Sequence, residues 1–203
     1  TGFNIDRFHP YQTNPDYRRD RAVESLGTVY RCHYPTMTTY TARNARRSAL
    51  HERLAAAGAY FSDVSGWEAP NWYAPPGEKP EVDQLSFGRM NWWPYWEAEH
   101  RACREAVILM DMSIMSKFMV QGRDAGELLE RVSANRVNGD SGMITYTQWL
   151  NEDGMLEADL TVTKIEDDKF LVVVTDTMHR HVEAWLQRHI TEDTAAVVTD
   201  VTS

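Results

Sequence analysis

Met155-Leu156-Glu157-Ala158-Asp159-Leu160-Thr161-Val162-Thr163 holds the polar residues most suggestive of chemistry in this chain. Taken as a strand, it puts Leu156, Ala158, Leu160 and Val162 on one face and Glu157, Asp159, Thr161 and Thr163 on the other. A carboxylate fixed on such a strand can take up a proton or stabilise a developing positive charge. The same alternation also describes a half-buried strand with a wet polar face, on which Asp159 is an ordinary surface carboxylate. The pattern by itself leaves both open.

Other polar residues give weaker signals. No GxGxxG or GxxxxGK[ST] occurs, so the chain has no dinucleotide or phosphate cradle of those kinds. His179 and His181 lie two apart on a predicted helix, where side chains diverge by roughly 200°, so they do not chelate one metal there. His9, His33, His51, His100 and His189 are scattered, with no nucleophile in a recognisable arrangement. Cys32 and Cys103 form no CxxC and suggest neither a disulfide framework nor zinc, so a reducing compartment is the default.

The elements that position these residues come from a chain of ordinary soluble composition, 203 residues with 42% hydrophobic and 25% charged. A net charge of -9 opposes binding to nucleic acid, and no apolar run approaches the roughly 18–20 residues that span a bilayer. The start, Thr-Gly-Phe-Asn, has no initiator Met or signal-peptide pattern and reads as cut from something longer. Residues 1 to about 16 suit an irregular docked segment, and Tyr17 to Leu26 a short helix stopped by Gly27. Thr41 to Ala57 is strongly helix-favouring, with Gly58 as its stop. Gly66 to Gln84 concentrates Pro, Gly and aromatics, a composition that predicts a linker without regular ladders, anchored by Trp67, Trp72 and Tyr73. The aromatic cluster Asn91 to Trp96 precedes a helix-like EAEHRACREAVIL.

Beyond Asp111 the pattern changes to strands at Lys117–Gln121, Met143–Leu150, Met155–Ile165 and Phe170–Thr175, with the last three forming an antiparallel meander. Asp124 and Glu127 predict a capping box opening a helix through Val132, and Met178, Val182, Trp185 and Leu186 make the apolar stripe of another. Ala195 to Ser203 reads as a strand whose partners are missing. The expected class is α+β, an antiparallel sheet with packed helices preceded by an irregular, helix-containing linker region. The expected division is residues 1–90 and 91–203.

The succession Asp111-x-Ser113, Gly122-x-Asp124-Ala125, Asn135-Arg136-Val137, Tyr146-Thr147, Leu150-Asn151-Glu152-x-Gly154 and Asp159-Leu160 resembles the N-terminal portion of the folate-binding domain in the glycine-cleavage aminomethyltransferase superfamily. Upstream, GFNIDRFHP, RAVESLGTVYRCHYP, GWEAPNWYAP and SFGRMNWWPYWEAEHRACREAV are similar to stretches of dimethylglycine and sarcosine dehydrogenases. In that family they join a flavin domain to the folate domain.

The resemblance implies the front part of an aminomethyltransferase-like fold in a flavoenzyme. That enzyme oxidatively demethylates dimethylglycine or sarcosine and passes the one-carbon unit to tetrahydrofolate as 5,10-methylenetetrahydrofolate. It makes Asp159 the catalytic residue and places Met115 and Tyr146 in the folate pocket. Strand position adds Val173 and Thr175 to that cavity, although many aminomethyltransferases carry Asn where Thr175 stands. FAD is expected only in the full-length protein, in a flavin domain of the same polypeptide or a flavin subunit. The residue that grips the pterin is expected past Ser203. The location implied is cytoplasmic, or the mitochondrial matrix in a eukaryote. Two other functions stay open: a non-catalytic folate-binding module or accessory protein, and a connector in which residues 1–100 dock a flavin domain.

Overall fold

In the computed structural model, which describes residues 5–202, Asn14 opens the first helix, α1 (Pro15–Thr28). Its side-chain oxygen accepts from the backbone N–H groups of Asp16 and Tyr17, and Pro15 lies where a missing N–H costs nothing. The helix continues through Gly27 instead of stopping there. Of the opening segment, residues 1–4 lie outside the described residues; short 3-10 turns follow at Ile5–Arg7 and Pro10–Thr13.

Helix propensity over Thr41–Ala57 is realised only in α2 (His51–Ala56). Upstream, Ala42 and Asn44 take φ of 48° and 64°, outside the helical region. Partners distant in sequence explain the departure. Arg43 donates to Glu68 and to the Phe61 carbonyl, and Arg46 exchanges backbone hydrogen bonds of 2.9 Å with Gly66 and Glu68. These tertiary bonds outweigh a propensity of a few tenths of a kcal/mol per residue.

The Pro- and aromatic-rich stretch also departs from expectation, because its first part is a strand. β1 (Ala59–Val64) pairs antiparallel with β2 (Trp67–Tyr73). Tyr60 faces Trp72 while Phe61 faces Pro70, so Asn71 is an extra residue that lets the ladder pass a proline. Trp72 stacks on Tyr60 and Tyr95 and donates to Asp83, and with Ala74, Met90 and Trp92 it forms a small core. The expected third helix is α3 (Trp93–Glu105), whose apolar continuation Val107–Met110 lies outside the helix and exposed. All these elements from Pro10 belong to one compact unit, Pro10–Ile114.

The other unit comprises Met115 onward together with the N-terminal residues through His9. It holds β3 (Ser116–Gln121), α4 (Ala125–Val132), β4 (Ile144–Leu150), β5 (Leu156–Glu166), β6 (Lys169–Val174), α5 (His179–His189) and β7 (Val197–Asp200). The strands form one antiparallel sheet in the order β4-β5-β6-β3-β7, which contains the expected meander. On one face Phe118, Val120, Trp149, Val162, Phe170 and Val172 are fully buried against Leu128 and Leu129 of α4 and Val182 and Leu186 of α5. Each such side chain contributes about 1.5–3 kcal/mol.

Three local expectations are corrected here. The segment after Ala195 has its partner in the chain, for β7 pairs with β3. The capping box at α4 does not form, because the Asp124 carboxylate accepts from the Ala195 backbone N–H at 2.8 Å and from Arg123. Glu157 does not share the face of Asp159. The ladder steps from Trp149 opposite Ala158 to Leu150 opposite Leu156, which leaves Glu157 as a bulge; its carboxylate meets His181 of α5 at 2.8 Å and Asn151 at 3.0 Å. The expected division near residue 90 differs from the division into compact units, since β1, β2 and α3 pack together up to Ile114.

Candidate active site on the open sheet face

Asp159 lies mid-strand on β5, its side chain on the face that α4 and α5 leave open, and it is exposed. Its cross-strand partner is Gln148 of β4, whose Nε2 donates to Asp159 Oδ1 at 3.0 Å. Two residues earlier on β4, Tyr146 projects from the same face, opposite Thr161. The Tyr146 hydroxyl lies against the Asp159 carboxylate. That hydrogen bond first, then the partial loss of water and the carboxylate charge, pushes the phenol above its ordinary range, with Gln148 opposing. The result is a carboxylate flanked by an amide and a neutral phenol on an open sheet.

Val173 of β6 is half-buried on this face, in register with Thr161 on one side and Lys117 on the other. Met115 immediately precedes β3, and its carbonyl accepts from Lys117 Nζ at 2.7 Å. Thr175 lies just past the end of β6, where the chain turns into a 3-10 helix, and its hydroxyl donates to Asp176. Thr175 is therefore a helix-entry residue, not a strand residue. Gln148 was not among the residues selected from sequence. The signal that finds it is register: one short turn, Asn151 to Gly154, sets Gln148 opposite Asp159.

The edge of β4 is held from outside. Ala134 N donates to the Gln148 carbonyl at 2.8 Å, Asn135 Nδ2 to the Tyr146 carbonyl at 2.9 Å, and Asn135 N to Thr147 Oγ1 at 3.0 Å. The Asn135 segment thereby has a structural purpose beside the site. His179 and His181 diverge as helical spacing requires. His179 is buried between Ser116 Oγ and Asp200 Oδ2, 3.0 Å from each, while His181 meets Glu157. No group of three or more His, Cys, Asp or Glu among the described residues is placed to hold a metal.

A cleft of about 610 Å³ in the unit Pro10–Ile114 is bordered by Tyr73, Trp96, Glu99, His100, Cys103 and Asp111, among others. Burial pushes the Glu99 carboxyl up. None of Met115, Tyr146, Asp159, Val173 and Thr175 borders this cleft.

An antiparallel sheet with two helices on one face and a carboxylate, amide and phenol on the other defines a fold of the aminomethyltransferase type. A crystal structure of the glycine cleavage system aminomethyltransferase T from Bartonella henselae shares it, with a TM-score of 0.62 and 23% identity over 77% of this chain and 38% of that one. The family model of the GCVT N-terminal domain matches residues 50–203, and that of the FAD dependent oxidoreductase central domain matches residues 1–48. The chain belongs to the GCVT N-terminal domain family.

Among curated relatives, 4-methylaminobutanoate oxidase (formaldehyde-forming) of Paenarthrobacter nicotinovorans is 39% identical over 98% of this chain and 24% of its own length. The mitochondrial pyruvate dehydrogenase phosphatase regulatory subunit of Mus musculus is 30% identical over 98% and 23%. Mitochondrial sarcosine dehydrogenase of Homo sapiens is 30% identical over 81% and 20%. The chain thus spans at most 24% of the length of these relatives.

Proposed function

We propose that this chain is the one-carbon-accepting part of a tetrahydrofolate-dependent oxidative N-demethylase of glycine derivatives, dimethylglycine or sarcosine. The observation that carries the proposal is the Asp159 carboxylate, flanked by Tyr146 and Gln148 on the open face of the sheet. The names of two relatives, an N-methyl amino acid oxidase that forms formaldehyde and a sarcosine dehydrogenase, support the reaction class.

A flavin in another domain of the complete polypeptide, or in a flavin subunit, would supply the two-electron oxidation of the N-methyl carbon. The residues of this chain serve the step that follows. When the folate amine forms its bond to the oxidised one-carbon unit, nitrogen gains positive charge and must lose a proton. Asp159 accepts that proton and stabilises the charge until it leaves. Tyr146, Met115 and Val173 supply aromatic and apolar surface for the folate rings, and Thr175 lies at the end of the same face. A second folate nitrogen then bonds to the same carbon. Water leaves if the carbon arrived as formaldehyde, or the demethylated amine leaves if it arrived as the iminium, and the product is 5,10-methylenetetrahydrofolate. Labour divides as a connecting part over 1–90 and a folate-type part over 91–203, although compact packing divides elsewhere. No helix of the described residues is long and apolar enough to cross a membrane. The proposed location is the cytoplasm, or the mitochondrial matrix in a eukaryote, with neither nucleic acid nor membrane as a partner.

Tetrahydrofolate titration of the complete polypeptide tests this placement. Tyr146→Ala removes an aromatic surface and is expected to weaken binding by about tenfold; unchanged affinity contradicts it. A non-catalytic folate-binding accessory module is the second candidate, favoured by the relative named as a regulatory subunit. Retained folate affinity without one-carbon transfer would select it.

A further inference from the structure

Gln148 is half-buried beside an exposed carboxylate, and its contact is directional. Only the NH2 end of the amide can donate, so the 3.0 Å approach to Asp159 Oδ1 sets the amide orientation: the reverse orientation would put oxygen against oxygen. An aspartate on an open strand otherwise turns freely about its terminal torsion, which has a broad two-fold profile. The bond donated at Oδ1 restrains the carboxylate plane, and the Tyr146 hydroxyl lies against the same carboxylate. The donor is itself held, because the Gln148 carbonyl accepts from Ala134 N at 2.8 Å and the Tyr146 carbonyl two residues earlier accepts from Asn135 Nδ2 at 2.9 Å. Backbone clamp, strand register and side-chain donor converge on one oxygen of Asp159.

We propose that Gln148 is a positioning residue for one-carbon transfer, holding the Asp159 carboxylate in one orientation toward the reacting amine. This rests on the function proposed above for Asp159. Gln148 itself touches no reacting atom; it acts through the orientation and charge environment of Asp159.

The test uses the complete polypeptide with three variants, assayed in parallel for amine oxidation, for methylenetetrahydrofolate formation and for melting temperature. Gln148→Leu keeps the size but removes the donor; Gln148→Glu keeps the size but sets a like charge against Asp159. The expected kcat for transfer falls about tenfold in Gln148→Leu and further in Gln148→Glu. The KM for tetrahydrofolate stays within about twofold and amine oxidation and melting temperature are unchanged. Strand stability alone would not produce that graded order at constant melting temperature. Equal losses in both variants with lowered melting temperature, or wild-type kcat in both, overturn the assignment. Asp159→Asn separates the two levels. If it abolishes transfer while the Gln148 variants behave as wild type, only the positioning role fails; if it retains transfer, the underlying function fails too.

Discussion

Glu68 shows how much one buried charge does in this chain. Its carboxylate is buried against Arg43 and also accepts the Asn44 backbone N–H. Burial pushes its pKa up. The Arg43 hydrogen bond, the Asn44 N–H and the charges of Arg43 and His51 together outweigh burial and hold it below the ordinary glutamate range. A folded-state value below the unfolded value near 4.3 contributes stability at higher pH, and that stability disappears as pH falls through the folded value. Glu68→Gln is therefore expected to cost about 3 kcal/mol at pH 7, with the gap from wild type closing well below about pH 4. Denaturant unfolding across that range checks it, and a gap constant with pH would count against the ion pair. This pair is illegible in sequence because Arg43 sits inside a run that favours helix, and only the fold brings it to β2. Asp159 was legible as a polar residue on an alternating strand, and the family resemblance singled it out. Gln148 was not, because its significance lies in cross-strand register.

At the scale of elements, strands and helices with strong periodicity were readable, whereas bulges and tertiary overrides were not. β3 through β6 lie within a residue or two of the limits set by alternation. Glu157 left the face its position assigns because a bulge counts as one residue and reverses the alternation. Proline at Pro70 argued against a ladder, yet β2 accommodates it at an irregular register. Gly122 ends β3 with φ 133°, its N–H donates to the Asp168 carbonyl at 2.9 Å, and an added Cβ would fall 2.2 Å from the Ala195 carbonyl. Gly122→Ala is thus expected to destabilise this unit by roughly 2–4 kcal/mol, through backbone strain and displacement of the segment leading into β7. Thermal or urea unfolding of the variant measures this, and a loss under about 0.5 kcal/mol would show that the Ala195 segment yields freely.

At the scale of the whole molecule, the model of the GCVT N-terminal domain family matches residues 50–203 and that of the FAD dependent oxidoreductase central domain matches residues 1–48. The proposed function combines two chemistries in one polypeptide, amine oxidation and capture of the released carbon, and assigns Asp159 to the second. The most direct measurement is Asp159→Asn in the complete polypeptide, with flavin-dependent amine oxidation and methylenetetrahydrofolate formation followed in one assay. The substitution keeps the size and the Gln148 neighbour but removes the charge and the proton acceptor. The account predicts amine oxidation within about twofold of wild type and methylenetetrahydrofolate formation lowered by about 100-fold or more. Methylenetetrahydrofolate formation at the wild-type rate, or loss of both activities together, would contradict it.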